Sequence, residues 1–219
     1  MREIPKPDAP VLIRETLWVN EAKQLIYMWG DADTTSFAHV NGSDIWALSA
    51  DGSGGQSWKF EDLGSRSQLA RLKRTLAGGA ATCYNTGFLM GGQAAGPNSS
   101  GVLVPGLVTY NMTSQTWVNE SATPFTAYGT SVGAESLCLP DFGPSGLVMF
   151  LGGVTSAASN PYDSFSALSQ SAGVAFDNIT LFDPFSRQWY WQTTTGSRPT
   201  PRHEFCASGI AGPQGTYEM

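Results

Sequence analysis

The feature that most restricts this chain is a repeat. An apolar run that stops at glycine, "LVMFLGG" at residues 147–153, occurs upstream as "GFLMGG" (87–92) and as "LIYMWGD" (25–31). The leading glycines, Gly30, Gly91 and Gly152, stand 61 residues apart both times. A fixed period of this kind means one supersecondary unit copied along the chain, each copy burying its faces against its neighbours. In the third copy "AESLCLPDFG" and "GLVMFLGG" read as strands A and B, and "NITLFDPFSRQWYWQT" as a hairpin of strands C and D. Asp183-Pro184 sets the turn of that hairpin, since proline fixes φ at the second turn position. The second copy repeats the plan with "GAATCYNTG", "FLMGG" and "LVTYNMTSQTWVNES". Here Tyr110 precedes Trp117 by seven residues, as Phe182 precedes Trp189. The first copy runs "VLIRETLW", "KQLIYMWGD" and "DIWALSADGSGGQSWKF". Its "DGSGG" swells the C–D turn, so the aromatic pair reads as Trp46 and Trp58, twelve apart.

These units divide the chain into a linker (1–10), three copies (11–62, 63–120 and 121–197) and the start of a fourth (198–219). A four-stranded meander cannot bury both faces alone, whereas copies arranged around an axis can. The expected fold is therefore an all-β propeller, present as an incomplete ring of three blades plus the start of a fourth that breaks off in its second strand. The A strands align if Leu17-Trp18, Thr82-Cys83, Leu137-Cys138 and Phe205-Cys206 are equivalent. A hydrophobic run ending in Gly-Gly and followed by aromatic-x6-Trp is similar to the kelch repeat, whose period is about 50 residues. The extra length here is assigned to loops. "KPDAPVLIRETLW", "ALSADGSGGQSW" and "PRHEFCASGIAG" resemble the secreted or membrane-anchored kelch proteins of filamentous fungi, whose fold resembles the propeller of galactose oxidase. The glycine pairs Gly91-Gly92 and Gly152-Gly153 are expected to turn the backbone through positive φ and to let it approach a neighbour without a Cβ clash. In the first copy Asp31 replaces the second glycine, and aspartate tolerates the left-handed region better than most residues.

Only 14% of the 219 residues are charged and the net charge is −6, which disfavours nucleic acid and anionic membrane as partners. No apolar run approaches the ~20 residues of a membrane span, and "MREIPKPDAP" lacks the apolar core of a signal peptide. Five N-x-Ser/Thr sequons, at Asn41, Asn98, Asn111, Asn119 and Asn178 and mostly in expected loops and turns, point to the secretory pathway and an extracellular or cell-surface location. Sequons without a leader imply a piece of a longer chain, whose remaining blades are then partners of this one. The basic stretch "SRSQLARLKR" (65–74) reads as a solvated loop.

The resemblance to galactose oxidase implies a test for copper radical chemistry, which in that family uses two histidines, two tyrosines and a cysteine–tyrosine cross-link. This sequence has only His39 and His203. Cys83 and Tyr84 are adjacent, so on a strand they point to opposite faces. No catalytic residue, metal ligand or cofactor is assigned. The expected function is a non-catalytic scaffold, with the propeller portion of a copper radical oxidase as the alternative. Cys83, Cys138 and Cys206 fall one per copy on the strand expected nearest the axis. They read as a thiol site, a disulfide between blades, or small packing residues. Packing is favoured, because equivalent strands of adjacent blades splay apart. Their odd number and spacing disfavour zinc. "GDADTTS" (30–36) lacks the later ligands of a calcium loop.

In a meander the B–C and D–A connections emerge on one face. Here these are the long ones: 34–42, 93–105 and 154–175, then 61–76, 121–133 and 193–201. Long loops on a rigid scaffold are where binding is built. That face is expected to recognise a protein or glycan, with Tyr162 and Phe165 as candidate anchors in the third B–C loop. The outermost inter-blade faces are expected to be apolar and uncovered.

Overall fold

The computed structural model describes residues 12, 14–30, 45–52, 55–61, 65–95, 101–157 and 172–218. The first sheet comprises β1 (Thr16–Asn20), β2 (Leu25–Trp29), β3 (Trp46–Ala50) and β4 (Gln56–Phe60), paired in chain order. After a short helix, α1 (Arg66–Leu69), β5 (Gly79–Cys83) and β6 (Thr86–Met90) form the inner half of the second sheet. A small hairpin, β7 (Gln93–Ala95) and β8 (Gly101–Leu103), then interrupts the expected B–C loop. The sheet is completed by β9 (Leu107–Asn111) and β10 (Thr116–Glu120). The third sheet is β11 (Glu135–Leu139), β12 (Leu147–Leu151), β13 (Asn178–Asp183) and β14 (Gln188–Thr193). All pairings are antiparallel, and each sheet is a meander of four strands, A to D. The A strands β1, β5 and β11 lie beside one another, which puts the first strand of each unit nearest a common axis.

Side-chain alternation explains how the sheets stack. Counting back from the glycine that ends strand B, odd positions face the following sheet and even positions the preceding one. Tyr27 and Trp29 thus meet Leu89, Val108, Tyr110 and Trp117 between the first two sheets. Phe88 and Met90 meet Val148, Phe150 and Phe182 between the second and third. Trp18 sits fully buried in the first seam against Trp29, Tyr110 and Trp117, and its indole N–H donates to the Phe88 carbonyl at 3.1 Å. Gly87 makes room for it: a Cβ there would lie 2.6 Å from Trp18 Cγ.

The glycine pairs work in both expected ways at Gly91, Gly92, Gly152 and Gly153, all at positive φ. Gly92 N–H donates to the Ser131 carbonyl (3.0 Å), and Gly153 N–H to the Arg202 carbonyl (2.8 Å). Each bond ties the end of one strand B to the segment leading into the next strand A. Gly30 departs from the pattern: its φ is not positive, although a Cβ would still approach Glu15 and Leu12 at 3.3 Å. Asp31 lies outside the described residues.

Three expectations need correction. First, the cysteines are not equivalent. Cys83 pairs with Thr86, five residues before Gly91, whereas Cys138 pairs with Val148, four before Gly152. One step of register reverses the face, so Cys83 points toward the third sheet and Cys138 back toward the second. They form a disulfide with Cα atoms 5.2 Å apart, and Cys206 is free and exposed. Second, Leu48, not Trp46, lies opposite Trp58, and Trp46 pairs with Phe60. Leu48 opposes Ile26 as Tyr110 opposes Gly87 and Phe182 opposes Val148, so a leucine occupies the aromatic position in the first unit. Third, the 65–74 stretch is not simply solvated. Leu69 is fully buried, and buried Arg74 donates to the Gly30 carbonyl at 2.8 Å with its guanidinium over the Trp29 ring. In the fourth unit β15 (Ile210–Ala211) pairs with β16 (Tyr217–Glu218) over two rungs only. Phe205 and Cys206 lie outside any strand, because no second strand runs beside them to complete a ladder among the described residues.

Candidate binding cleft

The B ends and C starts of the strands lie on one face of the stacked sheets, together with the D–A segments. On that face a cleft of about 490 Å³ opens between the third sheet and the D–A segment that leads into it. One wall is the D–A segment, through Pro124 and Phe125. The floor is Phe150 and Thr180, and the other wall is built from Asp177, Asn178 and Trp191. Strand register sets this grouping. Thr180 pairs with Trp191 and Asn178 with Thr193, so Asn178, Thr180 and Trp191 share the face turned toward the second sheet. Thr180 is buried, as its position low in the sheet requires, while Trp191 at the outer strand is 67% exposed. An indole this exposed is costly in water and suits a ligand with an apolar face.

Asp177 and Asn178 share the cleft with the ring and are held by residues beside it. The Thr193 hydroxyl donates to Asn178 Oδ1 at 3.1 Å. Asp177 is held by Arg198 at 2.7 Å, and Arg198 donates also to the Thr194 carbonyl. The ion pair leaves the rim without net charge. Two residues in this cleft, Phe125 and Trp191, carry no binding signal in the sequence. Trp191 lies two residues after a motif tryptophan, and only the pairing register shows that it faces a cleft. The candidate anchors Tyr162 and Phe165 lie outside the described residues, as do Asn41, Asn98 and His39.

Two further clefts lie on the opposite face. One of about 510 Å³ is lined by Tyr84, Asn111, Thr113 and Phe185 at the A–B and C–D turns of the second and third units. The other, of about 640 Å³, is a funnel between the A strands lined by Val19, Thr82, Cys138 and Tyr217. At the other end of those strands Arg14, Ala77, Gly133 and Glu204 occupy equivalent positions, all with φ near +50 to +67°. Each passes a backbone hydrogen bond to its predecessor: Ala77 to Arg14, Gly133 to Ala77 and Glu204 to Gly133. Arg14 Nε also meets Glu204 Oε1 at 3.3 Å, joining the first and fourth units. Residues as different as Arg, Ala, Gly and Glu hide this repeat from any sequence pattern.

The motif aromatics pack between sheets and are structural in their contacts. Tyr110 stacks on Trp117 with centroids 4.2 Å apart, and Phe182 meets Trp189 at 5.0 Å. Burial, and then the nearby Glu61 charge, push the Tyr27 phenol up to about 12; burial raises Tyr110 likewise. At the outer edge of the second seam Arg187 bonds Glu120 at 2.8 Å, while burial raises the Glu120 carboxyl against that pull. The three described sequon asparagines are exposed and lie on strands: Asn111 ends β9, Asn119 is within β10 and Asn178 begins β13. Their expected placement in loops is therefore replaced by strand positions. Asp183 shapes its turn as expected, accepting from the Ser186 hydroxyl and the Phe185 N–H, and these bonds hold its carboxyl below the usual range.

Among the described residues no three His, Cys, Asp or Glu side chains group as a metal site. The Cys83 sulfur is bonded to Cys138, so neither thiol is present to cross-link a tyrosine. No helix among them is long and apolar enough to cross a membrane.

No known protein-family model matches the chain, and no curated protein matches it. Solved structures do: 110 chains match, among them the structure of YjhT, a kelch-type β-propeller. That match has a TM-score of 0.55 at 14% identity and covers 88% of this chain. It covers 54% of YjhT, so the chain spans about half the length of that structure. The likeness is one of fold, and with the three stacked meanders it makes this chain all-β with a β-propeller fold.

Proposed function

We propose that this chain is part of a non-catalytic kelch-type propeller of the fungal secreted kind that binds a protein or glycan outside the cell. The observation that carries the reading is the cleft at Trp191 on the B–C/D–A face, where an exposed indole stands among hydrogen-bonding groups and a neutralised ion pair. Sequons at exposed positions and a disulfide between blades support an oxidising, secretory setting. The test is binding by the chain to arrayed glycans and to purified cell-surface proteins, compared with Trp191→Ala. Loss of binding in a variant that melts like the parent is expected. Binding undiminished by the substitution sinks this site. Stoichiometric copper uptake with peroxide production from an alcohol would replace the scaffold reading with the oxidase one.

A further inference from the structure

Among the described residues five large aromatic side chains are strongly exposed, and three of them line clefts that also hold a sequon asparagine. Trp191 shares its cleft with Asn178. Tyr84 (59% exposed) and Phe185 (71%) share theirs with Asn111. Both clefts border the third sheet, at opposite ends of it: the first lies against its incoming D–A segment, the second against the turns of the second unit. Asn119 is also exposed, but the cleft beside it is lined by Pro105, Gly106 and residues of the following turn, without an aromatic ring.

We infer that Asn178 and Asn111 carry N-linked glycans whose first sugar packs on these rings, so that the exposed aromatics are beds for the protein's own carbohydrate. At Asn178 the geometry is the more specific. Asn178 and Trp191 are diagonal neighbours on one face of the β13–β14 hairpin, within reach of a long side chain. The Thr193 hydroxyl holds the side-chain oxygen of Asn178, which leaves the amide nitrogen as the group open to substitution. At Asn111 the side-chain oxygen accepts from the N–H groups of Thr113 (3.0 Å) and Ser114 (2.9 Å), again leaving the nitrogen. The donor is a lipid-pyrophosphate-linked oligosaccharide. Its sugar C1–O bond breaks, a C1–N bond forms to Nδ2, the amide nitrogen loses one proton, and lipid pyrophosphate leaves. The linked N-acetylglucosamine carries its hydroxyls equatorially, so one ring face presents only C–H groups. That face matches the indole of Trp191, while the rim groups Asp177 and Arg198 meet the hydroxyls. The inference rests on the reading of the Trp191 cleft as a site for a pyranose and on secretion of the chain.

The experiment is secretion of the full chain behind an added leader from a glycosylating eukaryotic host, with glycopeptide mass spectrometry and thermal melts. Asn178 and Asn111 are expected to be occupied. Asn178→Gln is expected to lower Tm by about 2 °C or more, and Asn119→Gln to leave it unmoved. Trimming each glycan to its first sugar should preserve Tm. In a Trp191→Ala background the Asn178→Gln effect should vanish. In the parent, the acetyl-methyl resonance of the Asn178 sugar should shift upfield under the indole, a readout that needs no variant. An unoccupied Asn178, equal effects of the Asn178 and Asn119 substitutions, or an unshifted acetyl resonance overturns the inference. The reading of the cleft as a binding site is judged separately, by Trp191-dependent binding of outside ligands to the Asn178→Gln chain.

Discussion

Replacing Cys83 and Cys138 by alanine tests the register on which the whole stacking argument depends. The disulfide closes a loop with a sequence separation of 55 between the innermost strands of two adjacent sheets. The chain-entropy relation for a loop of that size gives about 4 kcal/mol of stabilisation, through restriction of the unfolded state. For a chain of this length each kcal/mol moves Tm by about 2–4 °C, so the double variant is expected to melt about 8–16 °C below the parent. Alanine is chosen because Cys83 is buried among apolar groups, where a serine hydroxyl would add a cost of its own. Either single variant removes the whole cross-link. Each should therefore lose about as much as the double, and the two effects should not add. Thiol titration of the denatured chain should find one free thiol, Cys206, before reduction and three after. Three reactive thiols before reduction, or a double variant melting within about 2 °C of the parent, would refute the opposed facing of Cys83 and Cys138.

Gly92→Ala places a side chain at φ +98° with its Cβ 2.6 Å from the Leu76 carbonyl oxygen, a backbone atom that cannot give. A cost of about 1–3 kcal/mol is expected for the backbone conformation alone, read as a lowered urea midpoint with an unchanged m-value. Gly87→Ala should displace Trp18 and cost about 1–3 kcal/mol by overpacking, with loss of the near-UV circular dichroism of the indole cluster. Alkaline pH should destabilise the first seam. Tyr27 ionises in the unfolded chain near pH 10 but only at about 12 when folded. Its contribution is therefore whole below pH 10 and drains away as pH rises toward 12. Tyr27→Phe should flatten that decline, and it should be nearly neutral at pH 7, since the hydroxyl has no hydrogen-bond partner among the described residues. Arg187→Ala removes the charge that opposes burial at Glu120 and should raise that carboxyl further, seen by NMR titration of its side-chain carbon.

Much of this architecture was legible in local pattern. The apolar runs that end at Gly91 and Gly152 are strands buried on both faces, and the Asp183-Pro184 turn and the aromatic-x6-Trp hairpins follow from turn chemistry and period-2 alternation. The first unit was less legible at its C–D hairpin. Its longer turn let Trp46 pass for the motif aromatic when Leu48 holds that place. Arg74 gave no signal either, because a basic residue in a polar run reads as solvated until Trp29 and the Gly30 carbonyl are brought to it.

Local pattern along the chain is enough to show that it builds successive four-stranded meanders. That pattern suffices because apolar periodicity, glycine pairs and turn residues act over a few neighbouring positions. The tertiary structure alone decided which side chains face each other across a seam. The A–B turns differ in length between units, so counting along the chain cannot give the register of strand A against strand B. A single step of that register turned Cys83 toward Cys138. It is likewise the C–D register, seen only after folding, that sets Trp191 and Asn178 in one cleft.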